Sequence, residues 1–97
     1  MSINLPLSLQ LRVITPRRLL VDRDVKAVFL PGLEGYIGVF PGHRPLLVAL
    51  GKGAITYRLN QKEEKFSVEG GFAEILPEKV IVFTKLSKNE ADRSNER

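Results

Sequence analysis

Apolar and polar residues alternate along most of this chain with a period of two, the spacing that puts every second side chain on one face of an extended strand. Leu7, Leu9, Leu11 and Val13 are apolar while Ser8, Gln10 and Arg12 are polar, so 7–13 is predicted to be a half-buried strand ended by Thr15-Pro16. A short strand follows at 18–21 with Asp22-Arg23-Asp24 as its turn, and the next runs over 25–30. Further strands are predicted at 36–40 and 46–50, before a loop at Gly51-Lys52-Gly53. Ile55, Tyr57 and Leu59 share one face of a strand at 54–60. Residues 61–63 then turn the chain into a strand at 65–69, whose Phe66 and Val68 point inward. Gly70-Gly71 marks a bulge or a sharp step, and 72–76 is a strand ended by a Pro77-Glu78-Lys79 turn. The last strand, 80–84, opens on an unbroken apolar run and is therefore expected in the middle of its sheet.

About ten short strands with turn signals roughly every ten residues predict an all-β fold, a flattened β-sandwich or barrel. It is expected to occupy residues 1–86, leaving 87–97 as a charged tail, flexible or weakly helical. Ala91 is the only apolar residue of that tail, so a helix there has no face to bury.

The stretch from Leu30 to Leu47 departs from simple alternation. Gly32, Gly35, Gly38 and Gly42 and Pro31, Pro41 and Pro45 interrupt apolar residues at short intervals. That is too much punctuation for a helix and too much apolar content for a disordered linker. It reads as tight turns between short strands, with positive φ expected at Gly35 and Gly42.

Composition narrows the function classes. A chain of 97 residues forms one domain, and 43% apolar with 27% charged residues is ordinary for a globular protein. There is no cysteine, which excludes disulfides, thiolate metal sites and cysteine nucleophiles. No apolar run is long enough to span a membrane, and no secretory signal opens the chain, so a soluble protein on the cytoplasmic side is expected. The net charge of +4 gathers early, at Arg12, Arg17, Arg18, Arg23 and Lys26, but Asp22 and Asp24 sit among these and no aromatic platform interleaves them. Nucleic-acid binding is not expected.

Candidate chemistry fails for physical reasons. His43 stands alone, without an activated nucleophile or the further ligands that a metal needs. The glycines of 32–42 are not followed by Lys-Ser or Lys-Thr and lead into strands, so no phosphate cradle forms. Glu34 and Glu74 have no spacing that marks an acid–base pair. No catalytic residue, cofactor or metal is expected.

The spacing Leu30-Pro31-Gly32-x-Glu34-Gly35-x-x-Gly38-x-x-Pro41-Gly42-His43-x-Pro45-Leu46-Leu47 closely resembles the ε subunit of F-type ATP synthases, δ in mitochondrial naming, in its N-terminal β-sandwich domain. Gly70-Gly71-Phe72-Ala73-Glu74 and Val80-Ile81-Val82 look like that family's later strands, and the likeness covers residues 5–85. What the resemblance implies is mechanical. Such a subunit joins the rotor of the central stalk, clamping γ to the membrane c-ring so that ion-driven rotation is coupled to ATP synthesis. It is peripheral, on the cytoplasmic side of the inner or plasma membrane, without inserting. The resemblance puts Glu34, Gly35 and Tyr36, together with Gly42, His43 and Arg44, in loops toward the c-ring, while Leu46, Phe72 and Ile75 are read either as core packing or as part of the γ-facing side. Position 36 is Tyr where relatives often carry an acidic residue, and an aromatic contact is expected there instead. The family's C-terminal helical pair is not expected within these 97 residues, nor is inhibition or nucleotide sensing through it. The competing classes are an unrelated β-sandwich interaction module and a small hydrolytic or sugar-binding sandwich, which would need a pocket with converging polar groups.

Overall fold

Period-two patterning becomes nine strands in the computed structural model, which describes residues 6–88. In chain order they are β1 (Leu9–Ile14), β2 (Leu19–Val25), β3 (Ala27–Gly32), β4 (Gly35–Val39), β5 (Leu46–Ala49), β6 (Lys52–Arg58), β7 (Glu63–Glu69), β8 (Phe72–Leu76) and β9 (Lys79–Phe83). They form a five-stranded sheet in the order β2-β1-β9-β8-β5 and a four-stranded sheet in the order β4-β3-β6-β7. Every pairing is antiparallel except β1 with β9, which run parallel in the register Leu11↔Val80 and Val13↔Val82. The last strand is central, as its apolar run requires, because it lies between β1 and β8.

The inward faces meet in one core. Leu9, Leu11 and Val13, Ala73 and Ile75, and Val80 and Val82 come from the larger sheet, and Val28, Leu30, Val39, Ile55, Tyr57 and Val68 from the smaller one. Each fully buried aliphatic contributes roughly 1.5–3 kcal/mol relative to exposure. Two corners join the sheets. At one, Leu50 bridges to Gly32 while Gly51 N–H donates to the Pro31 carbonyl at 2.8 Å. At the other, the chain beyond β9 crosses over, so that Leu86 bridges Val68 and Ser87 N–H donates to the Ser67 carbonyl at 3.0 Å. This last contact covers part of the β7 edge, which would otherwise offer unpaired backbone groups.

Several predicted boundaries move. Asp22-Arg23-Asp24 is not a turn but the middle of β2, paired residue by residue with β1. Cross-strand chemistry holds it there: Asp22 accepts from Gln10 Nε2 at 3.1 Å and lies 3.7 Å from Arg12 Nε. The strand expected over 25–30 is therefore split, and Lys26, whose N–H donates to the Arg58 carbonyl at 2.8 Å, carries the chain from one sheet to the other. Leu7 lies outside β1 and is 86% exposed instead of joining the core face. The Gly51–Gly53 loop shortens, because Lys52 already pairs with Glu69 and Gly53 with Val68. Of the tail expected at 87–97, residues 89–97 lie outside the described residues.

Candidate protein-interaction surface

The turns of a sandwich gather at its two ends, and here the ends separate the two candidate loops. One end holds the β3–β4 tip at Leu33-Glu34, the Thr15–Arg18 turn, Gly51 and Gly70-Gly71, laced by Gly70 N–H to Gly51 O at 3.0 Å and Thr84 N–H to Ile14 O at 3.0 Å. The other holds the loop from Phe40 to Pro45, the Pro77-Glu78 turn and Lys26, tied by Gly42 N–H to Pro77 O at 2.7 Å and Gln10 N–H to Glu78 O at 2.9 Å. Glu34, Gly35 and Tyr36 therefore sit together at the first end, and Gly42, His43 and Arg44 at the second. The whole length of β4, about 16 Å at ~3.3 Å per residue, lies between them. A single partner surface meets one loop or the other. His43 turns its ring back on its own loop, with Nδ1 2.7 Å from the Arg44 carbonyl oxygen.

Both glycines expected to need positive φ have it, Gly35 at 133° and Gly42 at 91°, and a Cβ at either position would meet nothing within 4 Å. Alanine at each should therefore cost only backbone strain, about 1–2 kcal/mol. Denaturant melts of Gly35→Ala and Gly42→Ala would measure it, and a loss above about 3 kcal/mol would require a steric clash that the structure does not contain.

The three residues expected to face γ divide as well. Ile75 is fully buried, because its alternation phase on β8 points it into the core, so it is not a surface contact. Phe72 points the opposite way, is 47% exposed and stacks on Phe83 with ring centroids 5.2 Å apart. Leu46, on the edge strand β5, is exposed and lines a groove of about 340 Å³ with Leu33, Leu47 and Ala49.

Phe72 belongs to a continuous feature, and Leu46 to the groove at its end. Pairing places Ala49 beside Phe72, Phe72 beside Phe83, Phe83 beside Ile14 and Ile14 beside Leu19, a row running across all five strands on the outer face of the larger sheet. At its β5 end the row runs into the groove, where Leu47 is 68% and Leu33 70% exposed. At Phe83 and Ile14 it opens into a second hollow of about 500 Å³, whose lining includes Pro16 and Lys85. Of the nine large hydrophobics exposed among the described residues, six lie on this belt or in the groove that ends it: Leu19, Leu33, Leu46, Leu47, Phe72 and Phe83. Isolated exposed leucines are ordinary, but a contiguous apolar face is what a protein partner covers.

Glu34 and Glu74 do not converge. Glu34 is at a hairpin tip of the smaller sheet, and Glu74 is in mid-strand on the outer face of the larger one. No three His, Asp or Glu side chains among the described residues gather as metal ligands would, and no helix there is long and apolar enough to cross a membrane.

A double sheet of this strand order, with a Gly-Pro hairpin at one end and an apolar outer face, has recognisable relatives. Residues 8–87 match the model for the ATP synthase Delta/Epsilon chain β-sandwich domain. The chain belongs to that family.

Among its relatives, the ATP synthase epsilon chain of Moorella thermoacetica is 40% identical over 90 residues, which is 92% of this chain and 64% of the relative. That of Solibacter usitatus is 43% identical over 84 residues, 87% of this chain and 63% of the relative. The chain thus spans less than two thirds of the length of these epsilon chains. Its fold recurs at a TM-score of 0.79 and 21% identity in a cryo-EM structure of the Euglena gracilis mitochondrial ATP synthase, the match covering 99% of this chain and 66% of that one. A second likeness, to a chain in the Tetrahymena thermophila mitochondrial ATP synthase central stalk and c-ring, has a TM-score of 0.70 and 14% identity.

Leu19, Leu33, Leu47 and Phe83 escape a reading that sorts residues by alternation alone. For Leu19, Leu47 and Phe83 the missed signal is consecutive apolar residues in short strands, Leu19-Leu20, Leu46-Leu47 and Ile81-Val82-Phe83, whereas Leu33 stands alone at a hairpin tip. A strand with both faces apolar buries one in the core and keeps the other for a second layer.

Proposed function

We propose that this member of the delta/epsilon family is a non-catalytic rotor subunit. It joins the γ subunit to the membrane c-ring and passes ion-driven rotation to the catalytic head of an F-type ATP synthase. The observation that carries this reading is the apolar belt on a domain of that family. A subunit whose task is to be clamped needs a face apolar and broad enough to stay attached under torque. In this reading γ covers the belt, burying on the order of 800 Å² on this side, the standard size of a specific interface. The end carrying Glu34, Gly35 and Tyr36 meets the polar loops of the ring, and the opposite end, with Gly42, His43 and Arg44, faces away from it. The subunit is then peripheral, held at the cytoplasmic side of the inner or plasma membrane by its partners.

Calorimetric titration of the chain into its cognate γ subunit tests this reading. One-to-one binding at micromolar affinity or tighter is the expected result, about −8 kcal/mol or better. No heat and no co-migration, with γ alone and with γ already seated on the ring, would overturn it in favour of an unrelated interaction module.

A further inference from the structure

The mutual arrangement of Tyr36, Pro31 and Ala54 differs from ordinary sheet pairing. Tyr36 stands on the outer face of β4 opposite Pro31 of β3, and it is 61% exposed. Its ring reaches across Pro31, and its hydroxyl oxygen accepts the N–H of Ala54 on β6 at 2.8 Å. The paired register of β3 with β6 stops at Phe29↔Thr56. Pro31, the next residue on the same face, has no N–H to donate. Its carbonyl oxygen accepts instead from Gly51 N–H at 2.8 Å. The Ala54 N–H, on a half-buried residue, would thus lack a strand partner within the sheet. Tyr36 provides that acceptor from a third strand. Gly53 makes the room, since a Cβ there would lie 2.7 Å from the phenol oxygen and 2.8 Å from Pro31 Cβ.

We propose that Tyr36 is a positioning residue, whose bond to the Ala54 amide fastens β4 to β6 across Pro31 and so sets the direction of the Leu33-Glu34 tip. The proposal rests on the reading above that this tip meets the c-ring. Tyr36 follows directly on Gly35, whose positive φ and open surroundings give the hairpin little stiffness of its own. Apart from the β3–β4 pairs, the tip is tied by Leu33 N–H to the Ala49 carbonyl at 3.0 Å, on the side toward β5. The phenol is the tie on the other side. Position 36 therefore uses its polar group in a bond to its own domain, and Glu34 presents a carboxylate at the tip.

The test is Tyr36→Phe in the full chain, which keeps the ring and removes only the acceptor. Amide exchange at Ala54 should accelerate about tenfold or more while Ile55 and Val28 stay protected, because local opening is read residue by residue. Affinity for a detergent-solubilised γ–c-ring complex should fall about fivefold, while affinity for γ alone stays within about twofold. In a Glu34→Gln background the same substitution should cause no further loss, since two residues acting through one contact are not additive. Unchanged exchange at Ala54 would overturn the tie. Equal losses toward γ and the ring complex, or a loss that persists in Glu34→Gln, would overturn the positioning role. A wild-type chain that binds γ with no gain from the ring would overturn the ring reading and the positioning role with it, while Ala54 exchange would still decide whether the tie exists.

Discussion

Replacing Gly71 with alanine is expected to cost about 3–5 kcal/mol, the largest effect of any single methyl group added to this fold. Two costs act together. Gly71 has φ of 108°, where an L-residue is strained by about 1–2 kcal/mol. A Cβ there would also overlap the carbonyl oxygen of Phe83 and lie 2.9 Å from Thr84 Cα. Both neighbours are backbone at the end of β9, so no side chain can swing away. Moving them would disturb the crossing from β9 toward β7, where Thr84 N–H donates to Ile14 O at 3.0 Å and Thr84 Oγ1 donates to Gly70 O at 2.5 Å. Its neighbour provides the control. Gly70 has φ of 77°, and a Cβ added there would meet nothing within 4 Å, so Gly70→Ala carries the strain without the clash. For a domain of this size a loss of 3–5 kcal/mol lowers Tm by roughly 15 °C or more. Thermal melts of the two variants side by side are the measurement, and equal Tm values would show that the β7–β8 step yields more easily than its geometry implies.

The same pair of glycines shows what is legible in the sequence and what is not. A double glycine between apolar strands signals a sharp step, and the step is there. Which of the two glycines is crowded depends on β9 arriving alongside from about a dozen residues later, a contact that no local pattern encodes. Asp22-Arg23-Asp24 departs from its expected turn for a similar reason. Three charged residues in succession resemble a turn, yet on the edge strand β2 they are exposed, and Asp22 pairs with Arg12 and Gln10 of the neighbouring strand. Tertiary pairing overrides local composition there. Alternation reads correctly wherever one face is buried and the other wet, as at Leu9, Leu11 and Val13. It loses information where both faces are apolar, and that is where the candidate interface lies. Ile75 and Phe72 look alike in such a strand, although on β8 they point to opposite sides of the sheet. The loops at Glu34 and His43 adjoin in sequence through a single strand, and a strand carries its two ends apart.

Lysine at Leu47 and Phe72 is expected to abolish γ binding while leaving the sandwich folded. Leu47 is paired with Glu74 and Phe72 with Ala49 and Phe83, all on the outer face of the larger sheet. Neither side chain contributes to the core, so the stability cost is that of exposed strand positions, about 0.5–1 kcal/mol each. At Leu47 the opposed Glu74 carboxylate even favours the new cation. Burying an ammonium against an apolar partner face is a different matter, because an unpaired charge in an interface costs several kcal/mol. Aromatic anchors at the centre of an interface also carry more than their share of its energy, typically about 2 kcal/mol or more on truncation. A Kd weakened at least about 100-fold by Phe72→Lys, and further by the double variant, is therefore expected, equivalent to about 3 kcal/mol or more. Lysine at Arg44, a residue at the end of the sandwich away from the tip, should leave the affinity within about twofold and serves as the reference for handling and folding. If the Phe72→Lys and Leu47→Lys chains melt like wild type and still bind γ with unchanged affinity, the belt serves another partner and γ must be held elsewhere. If they melt normally and bind γ alone poorly, the outer face of the five-stranded sheet is the clamp through which torque passes.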